Sequence, residues 1–406
     1  MALERPRPQA WTVLVVFTAM NLLNYLDRYV VPAVEESIKH SSLALTDTQF
    51  GLLISAFLWV YMCTAPFFGG LAAKRSRTRV IGLGVAIWSV ATALGGLATN
   101  YGQLLAARAA VGVGEAAYGT IAPAVLADVF PERMRGRIFA LFYMAIPVGS
   151  ALGYVLGGQI DAHYNWRAAF FVAGAPGLLL ALIALFLADP PREDNGEAAA
   201  PSGVHAYTSL IRIPPYMRTV FGYIAYTFAL GGIAVWMPGF LVRVHHMSQA
   251  DATKQLGTIL VGTGFVGTFV GGVLADALAK RTRQANLWVS GVTTLAAAPL
   301  AWWALVTPST STFWPVLIAC ELLVFASTGP INAAIVSEVA PALRAAAMAL
   351  SIFAIHLLGD AISPFLIGWW SDRDTLAHAV LIIPVAVVAG GAIWTYAALK
   401  GDRTAS

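Results

Sequence analysis

The chain has little charge. Only 11% of its 406 residues are Asp, Glu, Lys or Arg, against roughly 25% in an ordinary soluble domain. Apolar residues make up 58%, and the mean hydropathy is +0.71. A soluble core does not need that excess, so the sequence reads as an integral membrane protein. Cysteine is almost missing. Cys63 and Cys320 lie inside apolar runs, which leaves no disulfide framework. No stretch of the form GxxxxGK[ST] occurs, so ATP is not the expected energy source. No metal or haem ligand spacing stands out, and no cofactor or metal is expected. The pI near 9.1 does not point to nucleic acid, because the basic residues fall in short clusters between apolar runs.

What the chain does have is long apolar runs. About 20 such residues cross a bilayer as a helix. Twelve runs qualify: 10–37, 47–72, 79–99, 102–128, 137–160, 167–188, 218–242, 250–279, 285–306, 312–339, 343–370 and 377–399. The expected fold class is all-α, a polytopic membrane protein with twelve transmembrane helices in two six-helix, pseudo-symmetric bundles. The stretch 189–217 is rich in proline, charge and small residues and reads as a cytoplasmic linker between bundles over 1–188 and 218–406. With both termini in the cytoplasm, 18 of the 25 Lys and Arg fall inside and 5 outside, while Arg28 and Arg108 lie within spans. That bias orients the chain. Arg5 and Arg7 before an apolar run imitate a signal peptide, but no small-residue cleavage site follows, so an uncleaved first span is expected.

The chain repeats itself. "TDTQFGLLIS" at Thr46 and "SQADATKQLG" at Ser248 each open a span with a capping-box pattern, Thr46 with Gln49 and Ser248 with Asp251. Both spans end in a glycine pair, at Gly69 and Gly271, an offset of 202 residues. "APAVLADVFPERMRGR" from Ala122 parallels "NAAIVSEVAPALRAAA" from Asn332 at an offset of 210, with Asp128 over Glu338. A six-helix unit therefore occurs twice in one orientation. Transporters have a use for such halves, because two bundles can rock about a central site.

This pattern resembles the major facilitator superfamily, and within it the Spinster lysolipid and sphingolipid transporters. The residues that carry the resemblance are "NYLDR" (24–28), "RAAVGVGEAAYGTIAPAVLADVF" (108–130), "FYMAIPVGSALGY" (142–154) and "HLLGDAISP" (356–364). One departure stands out. The loop after the second span has Ala73 and Lys74 where the superfamily has an acid, whereas the second copy keeps Asp276. The resemblance implies a secondary transporter of an amphiphilic anion such as a lysophospholipid or a sphingosine-phosphate-like lipid. It is expected to be proton-coupled or proton-sensitive, with protons and membrane lipids as partners, and to be a monomer in a bacterial inner membrane.

A charged side chain at mid-membrane costs about 2.5–3.5 kcal/mol on insertion scales, so Asp27, Arg28, Arg108 and Glu115 need partners. Asn21, Asn24, Asp27 and Arg28 share an arc of about 100° on the first span, and Arg108 and Glu115, two turns apart, share a face of the fourth. At 1.5 Å per residue Asp27 lies roughly 15 Å below its outer end, between Arg108 at about 9 Å and Glu115 at about 20 Å. The first and fourth spans line the central cavity of the superfamily, so the resemblance implies one network of two acids and two bases. Asp27 is the expected proton-coupling acid with Glu115 as its partner, and Arg108, then Arg28, the expected contact for an anionic head group. Asn24, Tyr118, Tyr223, Tyr226, Asn332 and Glu321 complete the candidate substrate-binding set. Asp128, Arg135, Asp276, Arg344 and Glu338 are the candidate gate charges, Asp128 pairing with Arg133, Arg135 or Arg137, and Asp276 with Arg344. His356 and Asp360, four apart, are expected to bond on one helix face.

Other readings remain open on sequence alone. A proton-coupled symporter of small organic acids, or a drug exporter, would use the same fold. A passive scramblase would use it without coupling. A membrane-embedded hydrolase with Ser150 or Ser363 as nucleophile and His356 as base is a different class. The duplication speaks against it.

Overall fold

The computed structural model describes residues 6–189 and 204–405. Twelve helices among them are long and apolar enough to cross a membrane. They are α1 (Ala10–Ala33), α2 (Asp47–Lys74), α3 (Arg77–Gly96), α4 (Tyr101–Val129), α5 (Glu132–His163), α6 (Trp166–Phe186), α7 (Pro214–His245), α8 (Gln249–Ala279), α9 (Ala285–Val306), α10 (Thr310–Ser337), α11 (Ala346–Ser371) and α12 (Leu376–Asp402). The fold is all-α and polytopic, as the apolar runs indicate. Arg5, Arg192 and positions 190–203 of the expected linker lie outside the described residues. The rest of that stretch is not all coil: Val204–Ile211 is a helix that buries Ala206 and Leu210. Leu210 joins Tyr216, Val220, Ile335, Val339 and Ala347 in one apolar cluster.

The chain divides into two compact units, Met1–Asn195 with Met247–Thr258, and Gly196–His246 with Ile259–Ser406. Within the first, α1 packs along α5, α2 along α4, and α3 along both α4 and α6. Within the second, α7 packs along α11, and α9 along α10 and α12. The α1–α5, α3–α4 and α3–α6 pairings therefore recur as α7–α11, α9–α10 and α9–α12. The Thr46–Gln49 capping box closes in both directions, whereas at Ser248 the cap bond forms and the hydroxyl itself donates to Asp251 Oδ2 at 2.6 Å. The Gln49 amide N–H donates to Thr46 Oγ1 at 3.2 Å and the Asp251 amide N–H to Ser248 Oγ at 3.1 Å, each satisfying a helix-start donor that lipid could not.

Small residues let these helices touch through their backbones, the usual basis of helix association in lipid. A Cβ built on Gly149 of α5 would stand 2.5 Å from the Leu22 carbonyl oxygen of α1, and one on Gly359 of α11 would stand 3.0 Å from that of Ile224 in α7. These two contacts are the same contact in the two repeats. On α4, Gly112 lets the α2 backbone approach so closely that a Cβ would meet the Phe57 carbonyl oxygen at 2.5 Å. Not every helix is continuous. The α5 span breaks at Met144, and the α10 span between Phe325 and Thr328. The α11 span runs through a π turn over His356–Asp360, and such turns are frequent at functional sites.

The Gly112 contact gives a stability prediction. Gly112→Ala gains roughly 0.5–1 kcal/mol of helix propensity but overpacks the α2–α4 contact at a cost of about 1–3 kcal/mol. Its thermal midpoint in detergent should fall, while Gly70→Ala, at a site with nothing within 4 Å of the added carbon, should hold or rise.

Candidate functional site

The four buried charges of the first unit meet in crossed pairs. Arg108 Nη1 of α4 donates to Asp27 Oδ2 of α1 at 3.4 Å, and Arg28 Nε of α1 donates to Glu115 Oε2 of α4 at 2.8 Å. Thr92 of α3 donates its hydroxyl to Asp27 Oδ1 at 3.0 Å. Asp27 and Arg28 of α1 thus each pair with a residue of α4, and the four charges meet in one place.

The two pairs differ in access. Asp27 and Arg108 are 2% and 1% exposed, whereas the Arg28 side chain is 19% exposed beside a Glu115 at 0%. Arg28 is also the more enclosed by aromatic rings. Its Cζ lies 5.1 Å from the Tyr25 ring centre, 5.1 Å from that of Phe57 and 5.3 Å from that of Tyr61. Phe57 serves Arg108 as well, at 5.0 Å. Ring faces attract guanidinium groups at these distances. Phe57 and Tyr61 stand one turn apart on α2, and the Gly112 contact, between Arg108 and Glu115, carries them into the network. Hydrogen bonding is incomplete: Arg108 Nε and Glu115 Oε1 are buried without a partner. Buried polar atoms without a partner are uncommon and call for a physical reason.

The other candidates of this unit fall into different roles. Asn24 is buried beside the network. Tyr118 is 2% exposed and donates its hydroxyl to the Phe17 carbonyl at 2.7 Å, with its ring against Phe17 and Trp88. That is a clamp between α1 and α4, with the hydroxyl already committed. Asp128 pairs with Arg77 at the start of α3, not with Arg133, Arg135 or Arg137. The reason is that α3 runs along α4, which brings its first turn to the end of α4. Arg135 turns instead to the Ala127 carbonyl at 3.1 Å.

The second unit has a sparser polar interior. Glu321 of α10 is 7% exposed and accepts from Thr263 Oγ1 of α8 at 2.6 Å. Tyr223 of α7 meets Asn332 of α10 at 3.4 Å, and Tyr226 donates to the Val324 carbonyl at 2.9 Å. His356 Nδ1 and Asp360 Oδ2 are 2.8 Å apart on the π turn, the expected bond. Asp276 is exposed, and Arg344 Nε donates to the Val336 carbonyl at 3.2 Å rather than to Asp276. Glu338 lies just past the α10 span. Burial pushes its carboxyl above the usual range, and Arg218 pulls it partly back.

Sequence reasoning missed Thr92, Tyr25, Phe57 and Tyr61. The i, i+4 spacing of Phe57 and Tyr61 was a usable signal, but the same spacing describes any packed helix face.

The Major Facilitator Superfamily model matches residues 17–355. The spinster protein of Drosophila melanogaster is 32% identical, over 89% of this chain and 62% of its own length. Spinster homolog 1 of Xenopus laevis is 31% identical over 95% and 80% respectively, and the sphingosine-1-phosphate transporter of Danio rerio 31% over 93% and 82%. The chain belongs to the Spinster family of the major facilitator superfamily. Spinster proteins are transporters, so this is a multi-pass membrane transporter and not an enzyme, and the hydrolase reading falls. The Spinster fold is matched in full. A bacterial homologue of the human lysosomal transporter Spinster superposes with a TM-score of 0.88 at 23% identity, over 97% of this chain and 98% of that one. A nucleoside transporter superposes at 0.75 with 12% identity, so the fold itself does not select a substrate.

Glu338 supplies a pH test. Its folded value lies above its unfolded one, so the native state holds the proton more tightly, and its contribution is full at acid pH and lost as pH rises from about 4 upward. Glu338→Gln should flatten the decline of the thermal midpoint over that range. A decline as steep as the parent's would place the effect elsewhere.

Proposed function

We propose that the protein moves an amphiphilic, anionic lipid of the lysophospholipid or sphingosine-phosphate type across a bacterial inner membrane by alternating access, coupled to protons. In this reading six-helix bundles over 1–188 and 218–406 are joined by a linker over 189–217, both termini are cytoplasmic, and the chain works as a monomer. The observation that carries it is the Arg28–Glu115 pair, a partly reachable guanidinium held by a fully buried carboxylate. The name of the Danio rerio relative supports a phosphorylated lipid.

The chemistry follows from exchange of partners. A phosphate head group offers Arg28 a stronger, bidentate partner than a carboxylate. Once Arg28 turns to the phosphate, Glu115 is left as an unpaired charge in a medium where that costs several kcal/mol. A proton removes the charge. Release of substrate on the other side returns Arg28 to Glu115 and expels the proton, which ties lipid movement to the gradient. Asp27 is held by Arg108 and Thr92 and is closed off, so in this cycle it keeps Arg108 oriented. The expected order, Asp27 before Glu115 and Arg108 before Arg28, is thus reversed on grounds of access, with all four in one network. Asn24 stands beside the head group; Glu321, Tyr223, Tyr226 and Asn332 are the candidates of the second unit. The charges Asp128, Arg135, Asp276, Arg344 and Glu338 act as gate residues that change partners between states.

Reconstituted vesicles test this. Arg28→Ala should weaken lysophospholipid binding about thirtyfold or more, since truncating a buried charged partner costs roughly 2 kcal/mol or more. Glu115→Gln should still bind lipid but lose its response to an imposed pH gradient, whereas Asp27→Asn should be impaired at any pH. If Glu115→Gln follows the gradient as the parent does, the pair is structural and the proton travels elsewhere.

A further inference from the structure

The end of the second unit where α7 begins and α12 stops carries basic side chains that no acid engages. Among the described residues, Arg218 of α7 and Lys280, Arg281 and Arg283 between α8 and α9 form no ion pair. Arg218 is partly buried, roughly 6 Å into α7. Its Cζ lies 6.0 Å from the ring centre of Tyr396 on α12. Glu338 is the acid that faces it, and the two do not pair. A guanidinium resting on one ring keeps its N–H donors for another acceptor.

The surroundings are fixed by packing. Trp394 Nε1 of α12 donates to the Thr219 carbonyl of α7 at 2.9 Å, and Gly222 leaves no room for a Cβ beside that indole. On its other side, α12 ends in Asp402, which accepts from Thr282 Oγ1 at 2.5 Å and from Trp288 Nε1 at 2.8 Å. That acid is thereby committed, and it ties the basic α8–α9 loop to the same end. Lys400 is exposed one turn beyond Tyr396, on the same helix face. Along the two helices the exposed side chains are apolar: Val385, Val388 and Leu399 of α12, with Tyr396 at 56% exposure, and Phe221 of α7.

We propose that the α7–α12 seam holds an anionic phospholipid of the surrounding bilayer, with its phosphodiester between Arg218 and Lys400 against Tyr396 and an acyl chain along the exposed apolar strip. Basic recesses between spans at the membrane surface take such head groups, and tyrosine at that level is an interfacial anchor. The apolar strip selects a lipid over a soluble anion. The charge count selects the lipid class. Lys280, Arg281 and Arg283 stand at the same end and repel an ammonium, so a phosphate with no cation attached is favoured. This lipid is a fixed companion of the second unit, separate from the charge network of the first.

Native mass spectrometry of the full chain in detergent tests this with dioleoyl phosphatidylglycerol against dioleoyl phosphatidylcholine. The parent should retain about one phosphatidylglycerol at concentrations where phosphatidylcholine is lost. Arg218→Ala and Lys400→Ala should each weaken that binding about fivefold, and Arg218→Lys should weaken it less. Arg79→Ala removes an exposed charge of the first unit and should leave the binding unchanged. Equal retention of the two lipids by the parent overturns the proposal. So do equal losses in Arg218→Ala, Lys400→Ala and Arg79→Ala, which would reduce the effect to net charge. Should Arg218→Ala fail to fold, Lys400→Ala decides, because its side chain is exposed, and unchanged binding there overturns the site.

Discussion

Four charges inside an apolar bundle are the constraint on which the first half of this molecule depends. Each would cost about 2.5–3.5 kcal/mol alone at mid-membrane. Crossed pairing removes most of that cost, and it works only if α1 and α4 hold one register, because a shift of a turn would set like charges side by side. The register is fixed by contacts with no charge in them: the Tyr118 hydroxyl on the Phe17 carbonyl, and the close approach of α2 at Gly112. The rings that α2 delivers then share the guanidinium charges, so the arginines are held by electrostatics that do not require a carboxylate on every side.

The duplication makes this clearer. The two halves repeat their helix pairing, down to a glycine under a carbonyl at Gly149 and Gly359. They do not repeat the charges. At offsets of 202 and 210, Asp27 and Arg28 correspond to Ala229 and Leu230, and Arg108 and Glu115 to Ile318 and Phe325. The second half places its polar atoms elsewhere, in Glu321 with Thr263 and in His356 with Asp360. One scaffold therefore carries an ionic network in one copy and isolated hydrogen-bonded acids in the other. An amphiphile has the same asymmetry, with charge at one end and none at the other.

Much of this was legible before any coordinates. Span number and type follow from apolar length. The capping box at Thr46 and the cap at Ser248 follow from local spacing, and the shared face of Arg108 and Glu115 from helical periodicity. Partner choice was not legible. Asp128 lies a few residues from three arginines yet pairs with Arg77, 51 positions away in sequence, because helix packing and not chain proximity decides which side chains meet. Thr92 and the rings of Phe57 and Tyr61 were hidden for the same reason. A helix face reads alike whether it packs on a neighbour or lines a site. The short helix Val204–Ile211 was hidden by composition, since eight residues carry too little periodicity to stand out in a polar stretch.

The crossed pairs also have a consequence for synthesis. Asp27 and Arg108 are 81 residues apart, and Arg28 and Glu115 are 87. At translation rates of about 5–20 residues per second, the first span emerges roughly 4–17 s before its partners. For that interval it must reside in or beside the insertion machinery with two uncompensated charges. Its polar arc then needs temporary shelter from the membrane interior, from water in the translocation pore or from a helper protein, until α4 arrives. Assembly of this network is ordered in time by the distance between its members along the chain.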